Sequence, residues 1–391
     1  MSLTWKAAFG NTLVVVAFRA LPFLCYVMGQ RRISVPVKLG CLLVYCALVL
    51  LAGTQARDSL PWWLLGVGYF GVAAVLVHWI SKATHMIASF DAFLAFAAMF
   101  ALFVAIPAFG LKQVAAGTFL IVGWDLVLKS YSYLMEARAF QSRLGDCVFF
   151  LLVDPSVVFV QRATRNGDES PCERVCVWLR MGSAVVVLFA GFLLAPIVLS
   201  KSREVVGIDR ETVSLLPAIV SHGFVLFILG YSQHSSVASV QISLTRLIGF
   251  RVAERYRYPF LAQSPLEFWA RWNIYVGQWA KRYIFLPVAL KLKRLQRGAL
   301  GASAAVVAAG VVFAAIGLYH DAYTSIAEGR PTLRITGFFL ANAVLVWIWV
   351  VSGACFAPSG RWTRLRRHGS RAIFVTSFLL LLGVWSKNPY L

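Results

Sequence analysis

Residues Ser264–Pro287 read SPLEFWARWNIYVGQWAKRYIFLP, an aromatic and cationic run inside a chain that is otherwise lipid-like. Its start is well marked: Ser264 is an N-cap, Pro265 takes the first helical position, and Glu267 stands where a capping box needs it. Turning about 100° per residue puts Trp269, Trp272, Asn273, Val276, Trp279 and Tyr283 on one face of a single helix, with Arg271, Gln278 and Arg282 opposite. Asn273 is the one amide on the aromatic face. Left unpaired in an apolar layer it would cost about 1–3 kcal/mol, so it needs either a structural partner or a substrate. The helix is amphipathic and too polar to span a bilayer, so it is expected within or just beneath one leaflet.

The surrounding composition dictates that setting. Of 391 residues, 60% are hydrophobic and 14% charged, with a mean hydropathy of +0.74, against about 25% charged in soluble domains. The chain therefore reads as an all-α polytopic membrane protein, with no polar stretch long enough to bury a core of its own. The formal charge of +21 does not indicate nucleic acid, because Lys and Arg fall in short clusters between apolar spans, as in loops facing an anionic leaflet. All seven Cys read as free thiols: Cys25, Cys41 and Cys46 lie in apolar runs, and Cys172 and Cys176 lack the nearby His of a zinc site. No secretory signal with a cleavage site precedes the first span, which is expected to be retained.

Apolar windows near the roughly 20 residues a crossing needs fall at 7–29, 36–53, 61–81, 87–109, 112–130, 177–200, 212–233, 299–319, 333–353 and 371–386, about ten transmembrane helices. Cys147–Val160 is apolar but short and broken by Asp154-Pro155, so it reads as re-entrant. Placing the basic clusters on one side puts Arg31 to Lys38, Lys82, Lys129 to Arg143, Arg162 to Arg174, Arg246 to Arg297 and Arg361 to Arg371 in the cytoplasm, with both termini external. No fixed-period or inverted repeat is visible. Walker loop, HExxH, paired CxxC and GxSxG motifs are all missing, so any chemistry must come from isolated polar residues.

Among six His, His320 stands where the apolar run GASAAVVAAGVVFAAIGLYH meets the polar DAYTSIAEGR, and ionisable groups at such a depth are functional candidates. The alternative is an interfacial imidazole solvated by headgroups. His78 and His222 read as packing residues, Asp91 and Asp125 as helix-packing groups, and Arg19 as a side chain that snorkels or faces the bundle.

Arg246–Pro287, RLIGFRVAERYRYPFLAQSPLEFWARWNIYVGQWAKRYIFLP, resembles the signature of the membrane-bound O-acyltransferases: an Arg-Leu-x-Gly-Phe turn, a Tyr-Pro segment, a Phe-Trp-x-Arg-Trp block and a Trp-x-x-x-Tyr helix ending in Pro. GLYHDAY, Gly317–Tyr323, is similar to the family's Trp-His-Gly segment, with Tyr319 and Asp321 as departures, and GWDLVLKSYSYLMEA and DPSVVFVQR resemble weaker upstream motifs. The Trp272-Asn273 pair resembles branches acting on lipids or peptides, whereas the surrounding sequence is closer to the bacterial branch that acylates polysaccharide and usually carries His there.

The resemblance implies one membrane-embedded domain, residues 1–391, with N-terminal spans over 1–90 and the family-like region over 91–391, arranged around a central tunnel. It implies transfer of an acyl group, acetyl for instance, from an acyl-CoA or carrier thioester to a hydroxyl of a cell-surface glycan, or alternatively of a lipid, small alcohol or peptide. His320 would be the general base and Asn273 would polarise the thioester carbonyl. Trp269, Trp272, Trp279 and Tyr283 would line the acyl passage, while Arg271, Arg282 and the neighbouring Lys281 meet donor phosphates or anionic lipid. No resident cofactor or metal is implied. The partners are membrane lipids, the acyl donor and an accessory acyltransferase, and no nucleic acid. A transporter, flippase or silent scaffold is the competing class.

Overall fold

The computed structural model describes residues 2–29, 34–51, 72, 74–82, 114–136, 139–165, 171–206, 216–295, 301–328, 331–355, 375 and 378. The elements run α1 (Ser2–Gly29), α2 (Val35–Leu51), α3 (Val114–Glu136), α4 (Leu144–Leu152), β1 (Thr164–Arg165), α5 (Pro171–Val206), α6 (Leu216–Leu247), β2 (Phe250–Arg251), α7 (Pro265–Arg271), α8 (Ile274–Ala280), a π turn (Lys281–Phe285), α9 (Leu286–Leu295), α10 (Gly301–Glu328) and α11 (Arg334–Cys355). Among the described residues the all-α expectation holds except for one two-residue antiparallel pairing, Thr164 with Arg251 and Arg165 with Phe250.

Four described helices are long and apolar enough to cross a membrane: Phe9–Gly29, Cys172–Lys201, Ala304–Ala322 and Arg334–Val351. They fall on the expected windows 7–29, 177–200, 299–319 and 333–353. Val35–Leu51 is apolar but shorter, at 17 residues. The windows 112–130 and 212–233 are helical where described but are not among the four. The window 87–109 lies outside the described residues, and 61–81 and 371–386 are described only at a few helical positions.

The chain gathers into two compact units, one of residues 1–194 and 232–254, the other of 195–231 and 255–391. In the first, the stretch expected to be re-entrant is a short helix, α4, followed by an irregular segment over 153–163. Its backbone groups are buried and need partners, and one stripe of α3 supplies them. Lys129 donates to the carbonyls of Leu151 (3.3 Å) and Asp154, Ser132 Oγ accepts from Phe159 N (2.6 Å), and a Glu136 carboxylate oxygen accepts from Val160 N (2.7 Å). Asp154, fully buried, closes the loop by accepting from Ser156 N (2.8 Å) and Ala163 N (2.6 Å). The two weaker upstream motifs are thus the two sides of one lock.

In the second unit, α10 and α11 form an antiparallel pair joined by a short connection. Gly317 permits their close approach: a Cβ there would stand 2.5 Å from Thr336 Cα.

Candidate active site

Ser264–Pro287 is not one continuous helix. Ser264 caps α7 as expected, its Oγ accepting from Glu267 N (3.1 Å), but the Glu267 carboxylate reaches back to Gln263 N (2.7 Å), one residue before the cap. The helix then ends at Arg271, because Asn273 takes a left-handed conformation (φ 39°, ψ 60°), one that Asn tolerates better than most residues. An extended strap across the break secures it: Arg257 N donates to Arg271 O (3.0 Å), and Ile274 N donates to Arg255 O (2.8 Å). The strap also holds the side chain, since Arg255 Nε donates to Asn273 Oδ1 (3.0 Å) while its guanidinium lies 5.7 Å from the Tyr275 ring centre. With the amide oxygen engaged, the two Nδ2 hydrogens are the groups Asn273 can offer a ligand.

A second irregularity follows at the π turn Lys281–Phe285, just before Pro287. A proline ring crowds the carbonyl four residues earlier and donates no hydrogen bond, and a widened turn relieves both. As a result Lys281 and Phe285 face the same space.

The imidazole comes from α10. His320 Nδ1 lies 2.7 Å from the Ile316 carbonyl, the geometry of an Nδ1–H donor, which places the lone pair of the neutral ring on Nε2. The ring packs against Phe339 of α11, with centres 5.1 Å apart. Asp321, the departure beside it, is buried and turned to α11: its carboxylate oxygens accept from Ile335 N (2.9 Å) and Thr336 N (2.7 Å), in the first turn of that helix. It satisfies backbone donors that otherwise have no partner within the helix.

His320 and Asn273 line one cavity of about 340 Å³, whose remaining wall is almost wholly apolar and includes Trp269, Trp272, Val276, Ile316 and Phe339. Trp269 joins Phe313 and Phe339 at 5.3 and 5.6 Å, while Trp272 packs with Tyr256, Phe268, Phe227 and Tyr231.

The structure brings together four of the sequence-derived site residues, Trp269, Trp272, Asn273 and His320. The other four line different ground. Arg271 is committed to Glu267 Oε1 (2.5 Å) and Arg257 O (3.3 Å). Trp279 and Tyr283 stack on each other at 5.5 Å, and the Arg282 guanidinium lies 5.9 Å from the Tyr283 ring. The left-handed break and the π turn rotate these positions off the face a continuous helix would present. Among the described residues, Lys281 is the cation that borders the cavity. The sequence reading missed Arg255, Phe313, Ile316 and Phe339. Arg255 stood in the quoted signature, and its role appears only once the strap is seen to cross the break.

Residues 161–327 match the model of the MBOAT, membrane-bound O-acyltransferase family. A long-chain-alcohol O-fatty-acyltransferase of Simmondsia chinensis is 29% identical over 158 residues, 40% of this chain and 43% of the relative. A probable long-chain-alcohol O-fatty-acyltransferase of Arabidopsis thaliana is 28% identical over 149 residues, 37% and 41% of the two chains. A probable alginate O-acetylase AlgI of Azotobacter vinelandii is 36% identical over 58 residues, 15% of this chain and 12% of the relative. Each alignment spans less than half of the relative's length. The likeness to the membrane-bound O-acyltransferase family thus covers residues 161–327, the stretch that holds the signature, Asn273 and His320.

Proposed function

We propose that the protein transfers an acyl group from a thioester, of coenzyme A or a carrier, to the hydroxyl of an alkyl alcohol. What carries this reading is the convergence of one imidazole and one carboxamide on an otherwise apolar cavity. His320 Nε2 takes the alcohol proton as the oxygen attacks the thioester carbonyl. The C–O bond forms, the C–S bond breaks, and the imidazolium returns the proton to the departing thiolate. Asn273 Nδ2–H donates to the carbonyl oxygen as negative charge develops there, oriented by the bond from Arg255. The described lining offers no Ser, Thr or Cys, which favours direct transfer over a covalent acyl-enzyme. Of the three cations first given to the donor phosphates, Lys281 is the one on the cavity wall, and it lies beside the anionic part of the donor.

The alkyl acceptor is favoured by the apolar lining and by the length of the alignments to the long-chain-alcohol acyltransferases. A glycan hydroxyl as acceptor and acetyl as the group moved form the second reading, favoured by the likeness to alginate O-acetylases around the signature.

The test uses purified full-length protein with radiolabelled palmitoyl-CoA and hexadecanol, and in parallel radiolabelled acetyl-CoA and a surface polysaccharide. Label in a wax ester supports the first reading and label in polysaccharide the second. Asn273→Gly retains the left-handed backbone and removes the amide, so transfer should fall by about 10²–10³-fold, the loss typical of one oxyanion donor. Undiminished turnover in that variant removes Asn273 from the mechanism, and thioester consumption by neither pair removes the reading.

A further inference from the structure

A larger cavity lies wholly within the first unit and has no place in the acyl-transfer reading. It has a volume of about 1090 Å³ and is walled by α1, α2, the first half of α5 and the end of α6. Its long axis follows from the packing of those helices. Gly191 faces Gln233 and Arg180 meets Ser239 (3.4 Å), so α5 and α6 run antiparallel and bring Arg174 and Arg246 to the same end. Phe9 meets Phe189 at 6.3 Å, which orients α1 so that Val27 lies toward Arg174 and Leu13 toward Val185. Leu13 to Val27 is 14 residue steps, about 21 Å of helix, somewhat more than the roughly 15 Å depth of one leaflet's hydrocarbon.

The two ends differ in charge. Glu254 is shared by Arg180 (2.6 Å) and Arg246 (2.8 Å), so one carboxylate answers two guanidiniums. Arg174, on the cavity wall, has no hydrogen bond or ion pair among the described residues. Its sequence neighbour Glu173 is exposed and does not line the cavity. The far end is apolar. Between them is Tyr45, 7% exposed, with a hydroxyl that is buried and lacks a hydrogen-bond partner among the described residues. Val37, Val44 and Trp178 on the walls are 54%, 62% and 55% exposed, so the slot opens sideways.

We propose that this slot binds one anionic phospholipid from the leaflet that faces the basic loops. Its phosphate sits at Arg174 and Arg246, and one acyl chain fills the apolar length between α1 and α2 on one side and α5 and α6 on the other. An ester carbonyl gives the Tyr45 hydroxyl the acceptor it lacks. The charge excess selects the headgroup, the apolar length takes the chain, and the lateral opening lets the lipid enter from the bilayer.

The experiment reconstitutes the full chain in nanodiscs holding equal amounts of phosphatidylglycerol and phosphatidylcholine with the same acyl chains, and counts retained lipid by native mass spectrometry. One phosphatidylglycerol per chain is expected in preference to phosphatidylcholine. Arg174→Gln should lower that preference roughly fivefold, the worth of one guanidinium near a headgroup. Gly40 lines the slot, and a Cβ there meets nothing within 4 Å, so Gly40→Phe starts into open space and should abolish retention of either lipid, while Gly40→Ala should keep it. Equal retention of both lipids, or a preference unchanged in Arg174→Gln, overturns the proposal. So does full retention in Gly40→Phe, displacement of the lipid by stoichiometric palmitoyl-CoA, or a protein dimer that Gly40→Phe disperses.

Discussion

The two halves of the signature belong to different compact units. Arg246–Glu254 belongs to the first unit, where its charges answer one another: Arg246 holds Glu254 and the Val252 carbonyl, and Gly249, at φ 84°, makes the turn that ends α6. Arg255–Pro287 belongs to the second unit, where the ion pair Glu267–Arg271 lies away from the cavity and the uncharged Asn273 faces into it. The charges of the motif pair with one another, whereas the proposed chemistry rests on two neutral polar side chains of the cavity wall, Asn273 and His320. A neutral imidazole and an amide can sit in an apolar wall at small cost when each makes a hydrogen bond, whereas an uncompensated charge there is expensive.

The sharpest test of that contrast sets His320 against Glu254. His320→Gln should lower acyl transfer by about 10²–10⁴-fold, the contribution of a placed general base, with thermal unfolding in detergent unchanged. Glu254→Gln should leave turnover per folded molecule intact and reduce stability only. Were the effects to exchange places, the first half of the signature would be the chemical one.

Next in size is the contact that brings α10 and α11 together. Gly317→Ala puts a methyl 2.5 Å from Thr336 Cα, where backbone must shift. The expected cost is about 1–3 kcal/mol, read as a lowered unfolding midpoint, with transfer reduced as His320 and Phe339 separate. An unchanged midpoint would mean that the helices part freely and do not fix the imidazole. Asp321→Ala, which strips two backbone donors of α11 of their acceptor, should cost about 1 kcal/mol. Asp321→Asn, which keeps one acceptor oxygen, should recover about half of that. A loss of transfer without a loss of stability in either variant would place Asp321 in the chemistry instead.

Much of this was legible in the sequence, and the part that was not has identifiable causes. Apolar length alone located the four membrane-length helices, and Ser264 and Pro265 marked the start of α7. The break at Asn273 was hidden because what secures it lies elsewhere, in the strap at Arg255–Arg257, while the aromatic periodicity runs on through it as though the helix continued. The same continuous-helix reading put Trp279 and Tyr283 on one face with Asn273, whereas the described cavity lining does not include them. Asp321 stands out in the sequence as a departure beside His320, yet adjacent helical residues point about 100° apart, and the carboxylate reaches another helix. The lock between α3 and the 153–163 segment was visible only as two separate motifs, since pairing them requires knowing which face of α3 the loop crosses.

The smallest effect concerns pH. Burial alone would raise the Glu254 carboxyl, but the hydrogen bond and charge of Arg180, joined by those of Arg246, outweigh it and hold the pKa below the ordinary value of 4.5. A depressed folded-state pKa contributes stability that is fully present above the unfolded value and is lost as pH falls through the folded one. Wild-type protein should therefore lose unfolding midpoint as pH drops from about 5 toward 3, and Glu254→Gln should lose less over the same range. The difference is small because the carboxylate side chain is 39% exposed, and water screens a pair so placed to within about 1 kcal/mol. Parallel curves for the two proteins would mean that Glu254 is held equally well when unfolded, and the first half of the signature would then owe its shape to Gly249 and Phe250 rather than to its charges.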